Sequence, residues 1–129
     1  MTLTQIFAYV DSVKPNAFSN DVKTAWLNEV EGMVQTKAFL RPINECIAYT
    51  WSSDANTDVL VKPPHSKLYG EYICARIDFA NEEYDKYANS LQMFNAFWGE
   101  FMRWYAQNYR PADVGWETAW NAYFEEDDE

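Results

Sequence analysis

Apolar side chains recur along most of this chain at helical rather than strand spacing. Leu3, Ile6, Phe7 and Val10 make a first stripe. It is opened by Thr2-Leu3-Thr4-Gln5, which has the form of a capping box with Thr2 as N-cap and Gln5 reaching back. That helix should stop before Pro15, and Pro15-Asn16 should turn the chain. Ser19 or Asn20 can cap a second helix, with Asp21 well placed in its first turn. Its predicted inward stripe is Val22, Trp26, Val30, Met33 and Val34, with the stem of Lys37 at its end. Gly32 weakens this helix by about 1 kcal/mol relative to alanine.

The pattern changes between residues 38 and 64. "AFLRPINECIAYTWSSDANTDVLVKPP" carries Pro42, a polar cluster from Ser52 to Asp58, and the β-branched run Val59-Leu60-Val61. A connection this long is uncommon in a compact domain and tends to be functional or mobile. Ile47, Tyr49 and Trp51 alternate with polar or small residues, a period that suits a short β-hairpin with residues 59–61.

From Pro63 to about Tyr109 helical spacing returns and holds. Apolar or aromatic residues stand at 69, 73, 77, 80, 84, 87, 91, 94, 98, 101, 105 and 109. A single helix of that length would run about 60 Å, whereas a compact domain of this size is about 35 Å across. A break is therefore required, and Tyr87-Ala88-Asn89-Ser90 is the expected place, with Asn89 or Ser90 capping the new start. The reading is an all-α bundle of four or more helices: two early helices, the 38–64 loop, then helices over about 65–87 and 90–109. Residues 1–110 form the helical domain and residues 111–129 an extension.

That extension ends "WETAWNAYFEEDDE". Trp116, Ala119, Trp120 and Tyr123 recur at i, i+3, i+4 and i+7, the apolar face of a two-turn helix, followed at once by five acids. Of the formal charge of −10, most belongs here: residues 111–129 hold seven acids and no base, against 13 acids and 10 bases in the rest. No basic patch exists to neutralise phosphates, so grip on nucleic acid by counterion release is not expected, nor is binding to anionic membrane. No run reaches the ~18 apolar residues of a membrane span, and the N-terminus lacks the pattern of a signal peptide. A soluble, intracellular protein is expected. Cys46 and Cys74 have no metal-ligand spacing and read as buried reduced thiols.

Catalytic chemistry finds no foothold. There is no phosphate-binding glycine loop and no nucleophile elbow, and His65 is the only histidine, a structural residue beside a proline turn. Asp78 and Glu82 are spaced i, i+4, which suits a divalent ion or an acid/base pair. The plainer expectation is a solvated helical face, helped by Lys86 four residues after Glu82. No cofactor, metal site or enzymatic activity is expected.

One stretch looks like a known family. Val59-Leu60-Val61-Lys62-Pro63-Pro64 is an apolar run ending in a proline turn. A helix with Leu68-Tyr69 and Tyr72 follows, then Ile77-Asp78-Phe79-Ala80-Asn81-Glu82-Glu83, then Tyr87-Ala88-Asn89 and Phe94. This order resembles the small head–tail connector (head-completion) proteins of long-tailed phages and prophages of Gram-positive bacteria. The likeness is strong over about 50 residues and extends weakly to "WLNEVEGMV" in the second helix. Ala88 stands where the family often has asparagine, and the aromatic, acidic extension is longer than usual.

The resemblance implies a structural subunit that joins a ring of about a dozen copies. Such a ring lies between the portal and the neck or tail proteins, with DNA only passing through its channel and no sequence-specific contact. It implies residence in the bacterial host cytoplasm during assembly and in the virion neck afterwards. Trp51 in the long loop and Trp116, Trp120, Tyr123 and Phe124 in the extension are the expected protein-interface residues, since an amphipathic end segment suits helix-in-groove docking; the alternative is that the end segment folds back on its own bundle and covers the last helix. A different class, a monomeric acidic protein-binding module such as an anti-repressor or nucleic-acid mimic, would use the same charge count. It would need acids spaced like phosphates on a rigid face.

Overall fold

The computed structural model describes residues 1–108. Among them are five α-helices and no strand: α1 Leu3–Val13, α2 Asn20–Met33, α3 Trp51–Asp54, α4 Lys67–Ala80 and α5 Tyr84–Asn108. The all-α bundle is thus as expected. The capping box at Thr2 and Gln5 is present, and Leu3, Ile6, Phe7 and Val10 are all buried. After α1, the Asn16 side chain accepts from Phe18 N–H and donates to the Lys14 carbonyl, making the predicted turn. Ser19 caps α2 by accepting from Val22 N–H.

The inward face of α2 differs from the predicted stripe. Trp26, Val30 and Val34 are buried, but Val22 and Lys37 are exposed, and Lys23, Thr24, Leu27, Glu31 and Gln35 are buried instead. Three of those five are large polar or charged residues, which counting apolar positions cannot find. Each has a partner. Lys23 reaches Asp11 at 2.7 Å, and Glu31 and Gln35 bond the long loop. A single π-helical turn, Val34–Ala38, ends the helix.

α4 is the central element, packed on α1, α2 and most extensively on α5. It contributes Leu68, Tyr69, Ile73, Cys74 and Ile77 to the core. The helix break lies at Asn81-Glu82-Glu83, not at 87–90. Glu83 N–H bonds the Asp78 carbonyl, Glu82 N–H bonds the Phe79 carbonyl, and Glu82 adopts φ 59°, a Schellman ending with glutamate where glycine is usual. Tyr87 to Ser90 lie inside α5, and Ser90 does not cap a helix: its hydroxyl donates to Asp78 at 2.8 Å.

At 25 residues α5 runs about 37 Å, outreaching the 14-residue α4. Its overhanging end is met by other parts of the chain: Phe39 lies 5.4 Å from Tyr105 and His65 lies 4.9 Å from Trp104, ring centre to centre. Among the described residues no helix is long and apolar enough to cross a membrane.

Candidate interaction surface

Residues 39–66 form no hairpin. Their backbone is satisfied by side chains of α2, on the face where Asn28, Glu31 and Gln35 fall at i, i+3 and i+7. The Asn28 amide donates to the Tyr49 carbonyl at 2.9 Å and accepts from Tyr49 N–H at 2.8 Å. Gln35 treats Ile47 the same way, donating at 3.0 Å and accepting at 2.7 Å. Two side-chain amides thereby replace the ladder bonds that a neighbouring strand would have made. The other half of the loop is tied to the start of α1, where Thr4 N–H bonds the Ala55 carbonyl at 3.0 Å and Val59 N–H bonds that of Met1 at 2.9 Å.

Between the amides lies Glu31, with no exposed surface. One carboxylate oxygen accepts from Tyr69 OH at 2.5 Å, the other from Tyr49 OH at 2.8 Å and Leu60 N–H at 3.0 Å. Tyr69 OH in turn accepts from Val61 N–H at 3.0 Å. Burial pushes the Glu31 carboxyl above its usual range, against the opposing pull of its hydrogen bonds. Burial and the Glu31 charge push both tyrosines above theirs, so neither hydroxyl ionises in the working range. Hydroxyls held protonated are obligatory donors here. The cluster's chemistry is adhesive: it glues the loop to α2 and α4.

Asp78, expected on a solvated face, is buried, with 1% of its side chain exposed; it accepts from Lys14 at 2.6 Å and from Ser90. Glu82 has left the helix and lies in the turn, so the two carboxylates do not form a pair. Lys86 pairs with Glu83 at 3.0 Å, not with Glu82. Of the two thiols Cys74 is buried and Cys46 is only partly so.

The resemblance motif is thus placed piece by piece. Pro63 and Pro64 are exposed in the turn before α4, joined by a cis peptide bond. Leu68, Tyr69, Ile77 and Asp78 are core residues, while Tyr87 is half-buried with its ring 5.2 Å from that of Phe79 and Asn89 is exposed. Trp51 is half-buried, its ring 5.4 Å from that of Phe7. Trp116, Trp120, Tyr123 and Phe124 lie outside the described residues.

What the clamp leaves outward is apolar. Leu40, Ile43 and Ile47 are 58%, 84% and 47% exposed within eight residues of chain, and Leu40 holds φ 59°. Sequence reasoning singled out the loop, and Ile47 as a hairpin position, but none of these three as a contact residue. A lone exposed aliphatic needs no explanation, but three so close together make this stretch the candidate contact surface. No family model, curated protein or solved structure matches the chain.

Proposed function

We propose that this protein is a structural subunit of the head–tail connector of a long-tailed phage or prophage, assembling as a ring between portal and tail. The observation that carries this reading is the run from Val59 to Asn89, whose order of residue types resembles that family. The roles these residues have in the fold support it. Tyr69, Leu68, Ile77 and Asp78 act as packing and hydrogen-bonding members of a scaffold rather than as reacting groups. An assembly protein needs a rigid body that presents apolar surface to neighbours, and the Leu40, Ile43 and Ile47 loop supplies one candidate contact.

The fold withdraws four acids from the acidic-mimic alternative. Glu31 and Asp78 are buried, Asp11 is paired with Lys23, and Glu29 with Arg76 and Tyr72. A mimic would need those acids free on one face.

The test is negative-stain microscopy of the purified chain over a concentration series, alone and mixed with assembled portal rings from the same genome. Rings with a central channel, or an added collar on the portal, are the expected result. Particles that remain monomeric at every concentration and leave the portal unchanged would reject the proposal.

A further inference from the structure

A second exposed surface, built on aromatic rings, lies where α4 turns into α5. Phe79 stands 5.2 Å from the ring of Tyr87 and 5.9 Å from that of Tyr84, and Phe79 and Tyr84 are both among the exposed large side chains. Arg76 is set beside them. Its guanidinium lies 5.9 Å from the ring centres of both Phe79 and Trp26. Its Nε is 3.6 Å from Glu29 Oε1, beyond hydrogen-bond range, and that oxygen already accepts from Tyr72 OH at 2.6 Å. Among the described residues the guanidinium is thus held by two rings but has no hydrogen-bonded acceptor. Arginine framed by Trp, Tyr and Phe is the composition that concentrates at the centres of protein interfaces. Glu82, Glu83 and Asp85 border the patch in the turn, all exposed, with Lys86 held by Glu83 at 3.0 Å.

The apolar loop carries the counterpart of each of these features. Leu40, Ile43 and Ile47 are its exposed aliphatics, Glu45 is an exposed carboxylate among them, and Lys37 and Arg41 stand at its border. One surface is therefore a carboxylate among aliphatics, edged by bases. The other is a guanidinium among aromatics, edged by acids. Laid together, they set each charge against its opposite. They do not meet within one chain. The loop adjoins the far end of α5, where Phe39 packs on Tyr105, and Tyr87 stands 18 residues earlier on the same helix, about 27 Å away.

We infer that the patch of Arg76, Phe79 and Tyr84 receives the loop of a second copy of this chain, with Glu45 of that copy accepting hydrogen bonds from the Arg76 guanidinium. The aliphatics of the loop then cover Phe79 and Tyr84, and Lys37 and Arg41 face the acids of the turn. The contact joins unlike ends, so it is heterologous: it repeats from copy to copy and makes a ring when its rotation closes. This pairing rests on the connector reading and adds to it the surface that takes the loop.

Charge exchange tests it in the full chain. Arg76→Glu and Glu45→Arg each set like charges across the contact. Opposite charges return when both are made in one chain, or when the two proteins are mixed. Sedimentation velocity over a concentration series should show assembly of the wild type and association at least about tenfold weaker in each single variant. The double variant and the mixture should recover it. Tyr84→Ser, at an exposed side chain, should weaken association by about tenfold, and it keeps the test open if Arg76→Glu disturbs packing on Trp26. Single variants as tight as the wild type, no recovery despite native circular dichroism, or a wild type that stays monomeric throughout would each overturn the contact. Charge-coupled association that yields neither rings nor a collar on the portal would keep the contact and reject the connector reading. Collars formed equally well by the wild type and Arg76→Glu would keep that reading and reject the contact.

Discussion

Replacing Glu31 by alanine tests whether the loop is held by the carboxylate or merely lies beside it. The substitution strands three donors at once: Tyr69 OH, Tyr49 OH and Leu60 N–H, at 2.5, 2.8 and 3.0 Å from the carboxylate. Tyr69 and Tyr49 are 0% and 5% exposed, so bulk water does not replace the lost acceptor. Each buried donor left without a partner costs about 1–3 kcal/mol. Two effects reduce the sum: the carboxylate no longer pays desolvation, and a water can enter the space it vacates. The net loss should be about 2–4 kcal/mol, a large share of the about 5–15 kcal/mol that holds a domain of this kind together. Urea unfolding followed by far-ultraviolet circular dichroism measures it. A change below about 0.5 kcal/mol would refute the clamp as a source of stability.

The conservative change Glu31→Gln adds a pH dependence whose sign is fixed. Burial raises the native Glu31 carboxyl above its ordinary value of 4.5. Between 4.5 and that raised value the folded chain binds more protons at this site than the unfolded chain does, so stability falls as pH rises. The contribution is complete below 4.5 and lost as pH climbs through the native value. Acidification from neutral should therefore improve the wild type relative to Glu31→Gln, which cannot titrate. A gap that widens in the opposite direction would mean that the hydrogen bonds outweigh burial.

Glu82→Gly should stabilise the chain by about 0.5–1 kcal/mol, because glycine relieves the left-handed φ at the end of α4, a gain partly offset by glycine's greater freedom in the unfolded chain; thermal melting reads the shift, and a lower melting temperature would refute it. Asp78→Ala should cost about 2–3 kcal/mol, leaving Lys14 and Ser90 without their shared acceptor in the core. Denaturant midpoints check this, and a neutral effect would return Asp78 to the solvated face that its sequence context suggests. Thiol labelling at neutral pH should modify one cysteine per native chain. Cys46 is partly exposed, whereas Cys74 is buried and burial pushes its thiol up to about 11. Mass spectrometry of the labelled peptides would show the reverse preference if that placement were wrong.

How legible the molecule was depends on which signal each part used. α1 could be read almost completely, because a capping box, an uninterrupted apolar stripe and a proline all agree. The face of α2 was shifted because Lys23, Glu31 and Gln35 point inward to partners that lie 12 to 38 residues away in sequence. The helix break was misplaced for a related reason. Asn81-Glu82-Glu83 contains no glycine or proline, and only the backbone shows Glu82 in a conformation usually left to glycine. The tempting cap at Ser90 was spent on Asp78. A polar signal that could have been weighed was present: Asn28, Glu31 and Gln35 repeat at helical spacing beside two tyrosine-bearing stretches.

That repeat also explains how the connection over residues 39–66 can be ordered without a strand partner. An extended segment needs each buried N–H and C=O satisfied, and Asn28 and Gln35 do this for alternate residues, Tyr49 and Ile47. The loop is therefore ordered when the chain folds, so a partner that lands on Leu40, Ile43 and Ile47 does not have to order it on binding. Gln35→Leu separates the two roles, since it keeps the volume but releases Ile47 and Arg41 together. Residues 39–47 should then exchange hydrogen faster by about tenfold or more, while the core of α4 slows or quickens only with global stability. If the whole chain loosened in step with the loop, the clamp would be part of the global core and the loop could not open alone. If the loop quickened by itself, the apolar contact surface would be a locally set element whose rigidity depends on one glutamine.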